Sequence, residues 1–486
     1  MSSIRKILAI SFAQRYTVLI IQVISTLIIA RLLTPREIGI FSIGAAAVAV
    51  AHTVRDFGVT TYIIQEPELT VARVRTAFTI TLVVAWFLSG LILVAAPFVA
   101  DFYAEPGVAM VLRVIAFNFF IIPLGSVSLA MLRRDLKFSH LYWITTVSAV
   151  VHAGVGVSLA ALGFGFMSLA WAGFANIVTT IIGASLAMPQ HYFSLPTFSE
   201  RARVLKFGSR FSIASIVAEI GYAAPDLIVG RMIGVTGVGY FSRAWGFVML
   251  FERTVIDAIR PTILPYFANE RRAGQDLKVV YLRAFKYLLG IVWPFLGLMA
   301  LLAAPLIRLL YGSQWDAAVP LAQVLCLVIA VSITNQLTIS TLVVLESVHA
   351  VMIVQIVFQS LKILCLIIGA TMGLLEVAIG LSLAELAGFI LFLVLAYRKI
   401  GVPITSLLWS MLHALGLALF TITPVVIFIY ILNDILINIF LLSILSLTIG
   451  AFAWLAGIYL LTHPLREEIN RLLQSFLLTA KTYSKL

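Results

Sequence analysis

Apolar residues run in stretches of about 20 along the whole chain, the length that crosses the hydrocarbon core of a bilayer. Short polar separators punctuate them. In LTPRE (33–37), LGFGF (162–166) and YGSQWD (311–316), proline, glycine and charge stop one helix and start the next. The pattern predicts fourteen membrane-spanning helices, at 8–33, 37–56, 76–100, 108–131, 139–162, 166–188, 208–233, 237–260, 284–308, 318–342, 349–371, 374–397, 408–432 and 436–462. The ten-residue alternation of a membrane β-barrel does not occur, so the expected fold class is an all-α polytopic membrane protein. The first apolar stretch, from about Ile7 to Leu33, is too long for a signal-peptide core and is read as the first span.

The pattern also repeats. LIIARLLTPREIGIFS (27–42) returns as LIVGRMIGVTGVGYFS (227–242), with six of sixteen positions identical: Leu27/Leu227, Ile28/Ile228, Arg31/Arg231, Gly39/Gly239, Phe41/Phe241 and Ser42/Ser242. AAPFVADFYAEP (95–106) returns as AAPLIRLLYGSQ (303–314), aligning Pro97 with Pro305 and Tyr103 with Tyr311. Each first element ends an outward helix, turns, and opens the inward one. Thr34, Pro35 and Glu37 read as a capping box with proline at the first helical position. The second copy turns on Gly234 and Gly237 instead. The repeat unit is six helices. An even number relates the copies by a pseudo-twofold along the membrane normal, the architecture of an alternating-access transporter. The expected division is an N-terminal lobe at 1–190, a C-terminal lobe at 191–400, two further helices at 401–463 and a tail at 464–486.

Composition agrees with this reading. Of 486 residues 62% are hydrophobic and 11% charged, against roughly 25% charged in a soluble domain. The net charge of +12 has a membrane explanation. With the N-terminus cytoplasmic, about 26 of the 33 Lys and Arg fall on inner segments, Arg31, Arg36, Arg231 and Arg308 stay outside, and Arg113, Arg243 and Lys362 lie within spans. An even span count returns the C-terminus to the cytoplasm. In the tail, Leu465, Ile469, Leu472 and Phe476 share one face, the pattern of an amphipathic helix on the inner leaflet. No soluble basic domain is present to bind nucleic acid. Cys326 and Cys365 sit inside apolar spans and read as core residues, with no metal site or disulfide framework.

Ionisable groups inside spans cost about 2.5–3.5 kcal/mol each on insertion scales, so they are expected to face a cavity or a partner. Span 7 carries Ser212, Ser215, Glu219, Tyr222 and Asp226 at helical spacing, with Pro225 as a possible kink. Span 1 carries Ser11, Arg15, Gln22 and Ser25; span 2, His52 and Asp56; span 8, Arg243 and Asp257; span 11, Gln355, Gln359 and Lys362. Arg31 and Arg231 read as interface anchors and His152 as a core histidine.

The first hairpin LIIARLLTPREIGIFSIGAAAV, RDFGVTTYIIQ (55–65) and MLRRDLKFSH (131–140) resemble the polysaccharide-transport branch of the MOP exporter superfamily, the Wzx-type flippases. The resemblance spans essentially the full chain and implies a MATE-like fold of 6 + 6 helices with two more. It implies a flippase of the bacterial inner membrane that moves undecaprenyl-pyrophosphate-linked oligosaccharide for exopolysaccharide, capsule or O-antigen synthesis. A polysaccharide polymerase and glycosyltransferases are the implied partners. A diphosphate needs cations, and Arg15, Arg243 and Lys362 are the candidates. A sugar chain needs amides and aromatic faces, and Gln22, Gln355, Gln359, Tyr222 and Trp245 are the candidates. Glu219 and Asp226 are the candidates for H⁺ or Na⁺ coupling. The resemblance also implies that helices 13 and 14 help form a groove for the lipid tail. No cofactor and no catalytic residue are expected.

Three other readings fit less well, and the duplicated bundles with costly polar stripes argue against the first of them, a purely structural or scaffolding membrane protein. A drug/cation antiporter of the same superfamily favours an acidic, aromatic N-terminal cleft, whereas the candidates here are mixed in charge. A membrane polymerase or ligase favours a large outer loop with catalytic Arg or His, and no expected outer loop exceeds about a dozen residues.

Overall fold

The structure is a computed structural model. It describes residues 2–56, 59–188, 197, 199, 201–432, 438–471 and 474, apart from the side chains of 2–8, 56, 201–215, 258, 261, 348 and 432. Every regular element among the described residues is helical. Cα proximity groups the chain into two compact units, Met1–Ser242 and Arg243–Leu486.

The first unit holds α1 (Ser2–Leu32), α2 (Pro35–Asp56), the short α3 (Val59–Gln65), α4 (Val71–Tyr103), α5 (Pro106–Ile121), α6 (Pro123–Arg134), α7 (Phe138–Ala161), α8 (Met167–Ala187), α9 (Arg201–Met232) and the start of α10 (Val235–Phe251). The second holds the rest of α10, a π turn at Glu252–Ile256, α11 (Asp257–Arg272), α12 (Leu277–Leu301) and α13 (Ala303–Tyr311). A 3₁₀ turn at Ser313–Ala318 then leads to α14 (Val319–Val344), α15 (Val348–Met372), α16 (Leu374–Ile400), α17 (Ile404–Leu432) and α18 (Ile439–Leu460). The first unit runs past the 190/191 boundary of the repeat because α9 packs on α2 and α4.

Among the described residues eleven helices are long and apolar enough to cross a membrane, and the bent pair α5–α6 makes twelve. The expected count of fourteen is not confirmed among the described residues. The two expected spans outside this count are 208–233, which falls on α9, whose side chains at 201–215 lie outside the described residues, and 237–260. The expected span 108–131 breaks by 55° at Ile122–Pro123, where proline removes a backbone donor and clashes with the preceding turn. The expected span 237–260 becomes the 17-residue α10 followed by the π turn. Arg260 pairs there with Glu252 and, at 3.1 Å, with Asp257, so the charges that end the span hold one another. Large apolar side chains such as Phe87, Phe98 and Trp143 stand exposed on spanning helices, the outward face that lipid covers.

The capping box forms as expected. Thr34 N–H donates to Glu37 Oε2 at 2.8 Å, and Glu37 N–H donates to Thr34 Oγ1 at 3.3 Å. The reason for the repeated glycine lies a turn further on. A Cβ on Gly39 would stand 1.9 Å from the carbonyl oxygen of Val235, and one on Gly239 would stand 1.8 Å from that of Pro35. Ser42 and Ser242 Oγ atoms meet at 3.1 Å. Each contact joins a position to one about 200 residues away and is returned in kind, which is the signature of a two-fold interface. Small residues let the two backbones touch, as in membrane helix pairs generally.

Two other stretches singled out in the sequence also meet. Arg134, from MLRRDLKFSH, donates from Nη1 to the carbonyls of Ile63 and Glu66, both at 2.6 Å. It thereby caps the end of α3, the helix written by RDFGVTTYIIQ, where the last carbonyls have no helical partner.

The described apolar residues at the start of the tail pack on protein. Leu465 is buried with Leu417 and Ile458, and Ile469 packs beside Tyr287, Ile291 and Trp454. These two residues thus find apolar partners on α12, α17 and α18, while Leu472 and Phe476 lie outside the described residues. His463 opens this segment and is 4% exposed, against the bare backbone of Gly290. Burial pulls its pKa down to about 4, helped by the charges of His413 and Lys286. An unfolded histidine titrates near 6.5, so between pH 6.5 and about 4 the unfolded chain binds the proton and the folded chain resists it. Stability is expected to be flat above pH 6.5 and to fall as pH drops through that window. Thermal unfolding of the purified protein across pH 4–8 checks this: His463→Gln should flatten that part of the profile, and an unchanged profile would dismiss the assignment.

Candidate functional site

One face of α2 presents Phe41, Ala45, Val48, Ala49, His52 and Thr53, at helical spacing. The small residues along it leave room. Together with Asn118 of α5, Leu169 and Ala170 of α8, and Glu219 of α9, they line a cavity of about 380 Å³ within the first unit. Its polar groups are a carboxylate, an imidazole, a hydroxyl and an amide. Asn118 is 6% exposed, and its Oδ1 is buried with no hydrogen-bond partner. His52 Nδ1 lies 3.2 Å from Arg55 Nη1. A guanidinium only donates, so Nδ1 accepts and the ring hydrogen is on Nε2. The Arg55 guanidinium lies 5.5 Å from the Phe119 ring centroid, and the His52 ring tilts against the same phenyl at 4.5 Å.

The polar stripe of span 7 divides between environments. Glu219 lines the cavity. Tyr222 is 61% exposed. Asp226 accepts from Ser242 Oγ at 3.2 Å, and that hydroxyl also meets Ser42. Asp226 therefore belongs to the crossing of the repeated hairpins. The side chains of Ser212, Ser215 and Asp56 lie outside the described residues. In span 1, Arg15 is half-buried and Gln22 exposed. Arg231 stacks at 4.8 Å over Phe102.

In the second unit the Arg243 guanidinium lies 5.9 Å from the ring of Tyr311 and 5.6 Å from that of Trp315. Its Nε is buried without a hydrogen-bond partner. Lys362 of α15 is 3.7 Å from Glu385 of α16, both nearly buried. Gln355 and Gln359 each bury an Oε1 without a hydrogen-bond partner. A separate cavity of about 360 Å³, lined by residues such as Pro294, Leu298, Thr421, Gly450 and Trp454, lies among α12, α17 and α18. It is almost wholly apolar.

Sequence reasoning missed Asn118, Thr53 and Glu385. The test applied to Glu219, an ionisable group inside an apolar span, also selects Glu385. Asn118, in the run AFNFF, stands out as a lone amide among phenylalanines. Thr53 carries no such signal.

Comparison with known proteins follows the same lines. A family model described as polysaccharide biosynthesis protein matches residues 28–320. The lipopolysaccharide biosynthesis protein WzxC of Escherichia coli (strain K12) is 24% identical over 62% of this chain and 62% of its own length. The succinoglycan biosynthesis transport protein ExoT of Rhizobium meliloti (strain 1021) is 26% identical over 62% of this chain and 61% of its own. The teichuronic acid biosynthesis protein TuaB of Bacillus subtilis (strain 168) is 23% identical, over 64% of each. The chain thus spans less than two thirds of the length of these relatives. Among solved structures, the lipid II flippase MurJ in an inward closed conformation superposes with a TM-score of 0.73 at 16% identity, over 93% of this chain and 97% of that one. An inward-facing MATE multidrug transporter of the MOP superfamily gives 0.60 at 16% identity, over 79% and 94%. The all-α, multi-pass fold expected from the sequence is the fold these two share.

Proposed function

The chain belongs to the polysaccharide biosynthesis protein family, and on that premise we propose that it is a flippase. It moves undecaprenyl-pyrophosphate-linked oligosaccharide from the inner to the outer leaflet of the bacterial inner membrane, with both termini cytoplasmic. It works by alternating access of two six-helix lobes, makes and breaks no covalent bond, and supplies a polysaccharide polymerase. The observation that carries this reading is the family match across residues 28–320, which contains both copies of the glycine-crossed hairpin. A doubled module whose copies meet about a two-fold is the arrangement rocking requires.

The candidate residues take parts accordingly. Arg15 and Arg243 engage the diphosphate. Lys362 is held by Glu385, so its charge is compensated and its part narrows to organising α15, where Gln355 and Gln359 offer amides to sugar hydroxyls. In the first unit Gln22 offers a further amide and Tyr222 an aromatic face to the sugar chain. The apolar slot among α12, α17 and α18 accepts lipid chain. Glu219, in its cavity, takes up the coupling ion, and Asp226 reads the state of the hairpin crossing.

In a strain deleted for the gene, unflipped lipid-linked oligosaccharide is expected to accumulate and the wild-type chain to clear it. Glu219→Gln should reach the membrane in normal amount and lose dependence of flipping on the ion gradient. Clearance by Glu219→Gln with the gradient dependence intact would remove the coupling role. The likeness to a MATE transporter favours one second reading, a drug/cation antiporter. Protection of an efflux-deficient host against toxic cations, without clearance of the oligosaccharide, would decide for it.

A further inference from the structure

We infer that the second unit holds a site for an anionic phospholipid of the inner leaflet, in the pocket enclosed by α11, α12, Leu337 of α14 and the start of the tail. The inference rests on the cytoplasmic placement of the tail and is independent of the cargo. The pocket has a volume of about 500 Å³, within the range of small-molecule sites. Its walls are graded from charge to hydrocarbon. On α12, Arg283, Tyr287 and Ile291 follow one another at spacings of four and share a face. This helix begins on the cytoplasmic side, so the guanidinium marks the shallow end and Ile291 lies about 12 Å deeper. The neighbouring α11 runs the other way and keeps the same order, with Tyr266 shallow, then Ile263, then Ile259. Both helices thus place polar atoms at headgroup depth and bare hydrocarbon beneath. A lipid of the inner leaflet, head toward the cytoplasm and chains toward the midplane, has that order.

Charge decides the kind of head. The wall carries Arg283, Arg471 and Glu468. Glu468 is satisfied: the Tyr287 hydroxyl donates to its Oε1 at 3.3 Å, and Arg471 Nη1 lies 3.1 Å from the same atom. Arg283 is exposed and, among the described residues, has no hydrogen bond or ion pair. One positive charge is therefore left over at the rim, on a guanidinium whose fork suits a phosphate. Lys286, beside Tyr287 in the chain, adds a second, and its charge reaches His463 at the root of the tail. Basic pockets between spanning helices on the cytoplasmic side suit anionic headgroups. A zwitterionic head brings an ammonium that Arg283 repels. The site is separate from the apolar slot among α12, α17 and α18. It shares Ile291 with that slot, takes no lining residue from α17 or α18, and has a charged rim. A lipid seated here touches Leu465 and Arg471, so binding fastens the tail onto α11 and α12 and makes its docking respond to the anionic content of the leaflet.

The test uses the purified full-length chain, delipidated in dodecyl maltoside. Dioleoylphosphatidylglycerol or dioleoylphosphatidylethanolamine is titrated in as mixed micelles, with native mass spectrometry and thermal unfolding as readouts. Stoichiometric retention of phosphatidylglycerol and a saturable rise in Tm are expected, with no such rise from phosphatidylethanolamine. Arg283→Ala should weaken phosphatidylglycerol binding about fivefold. Thr262→Trp, which fills the mouth of the pocket, should abolish it. Arg398→Ala, at the cytoplasmic end of α16, should bind as wild type does. Thr262 and Arg283 are both exposed, so neither variant disturbs the core, and mass spectrometry reads binding even where Tm falls. Equal responses to the two lipids, or equal phosphatidylglycerol affinity in wild type and Arg283→Ala, would overturn the inference. So would a matching shift from glycerol phosphate alone, which makes this a phosphate site without a lipid, or preference for undecaprenyl pyrophosphate, which gives the pocket to the cargo. Oligosaccharide clearance by a chain that ignores phosphatidylglycerol removes the site and leaves the transport reading. A selective phosphatidylglycerol response without clearance does the reverse.

Discussion

Lys362→Ala is expected to destabilise the protein by about 3–5 kcal/mol, the usual cost of leaving one partner of a buried ion pair alone. Lys362 and Glu385 stand 3.7 Å apart on α15 and α16, at 8% and 6% exposure. Remove the ammonium, and the carboxylate stays in a low-dielectric interior with nothing to compensate it. Removing both charges is a different matter. Lys362→Met with Glu385→Leu fills the same space with apolar atoms and should lie within about 1–2 kcal/mol of wild type or above it. Thermal unfolding in detergent gives the comparison. If the double variant is as unstable as Lys362→Ala, the pair is not the relevant interaction. The same two variants separate transport from folding. Loss of oligosaccharide clearance in the single variant, restored in the double, assigns Lys362 a structural part; loss in both assigns the charge to substrate.

Gly39→Val and Gly239→Val are expected to be the most damaging of the glycine substitutions. A Cβ at either position would lie under 2 Å from a backbone carbonyl, and a backbone cannot swing aside as a side chain can. Overpacking of this kind costs about 1–3 kcal/mol when a core yields; here the two helices must separate, which also breaks the Ser42–Ser242–Asp226 chain. Even Gly39→Ala should lower Tm. Gly90→Ala and Gly154→Ala are the controls. Both sit in helices with nothing within 4 Å of the added methyl, and alanine there should gain up to about 1 kcal/mol from helix propensity. Should Gly39→Ala unfold at or above the temperature of Gly90→Ala, the close crossing is refuted. Because the contact is reciprocal, Gly39→Val and Gly239→Val should also be similar in effect, and strong inequality between them would count against the two-fold.

The repeat was legible as letters before its meaning was. Gly39 and Gly239 match in the alignment, yet nothing in one dimension says that each lies on the backbone of the other hairpin. Glu219 and Asp226 illustrate the same limit. Seven residues apart, they share one side of α9, and the sequence places them in one role. The structure puts Glu219 on a cavity wall and Asp226 in a hydroxyl chain at the crossing, because the helix passes different neighbours along its length.

What the sequence by itself determined is whatever depends on a residue and its near neighbours. Bilayer-length apolar runs require helices, since lipid offers the backbone no hydrogen bonds. Thr34 to Glu37 fix a helix start through contacts three residues apart, and the doubled hairpin announces a doubled module. Only the tertiary structure decided which faces oppose each other: Lys362 with Glu385, Arg134 with the end of α3, Asn118 with the cavity of Glu219. In a membrane protein this choice is hard to read from hydropathy, because lipid-facing and protein-facing surfaces are both apolar. Close packing and the pairing of the few polar groups select the partners, and both are properties of several helices together.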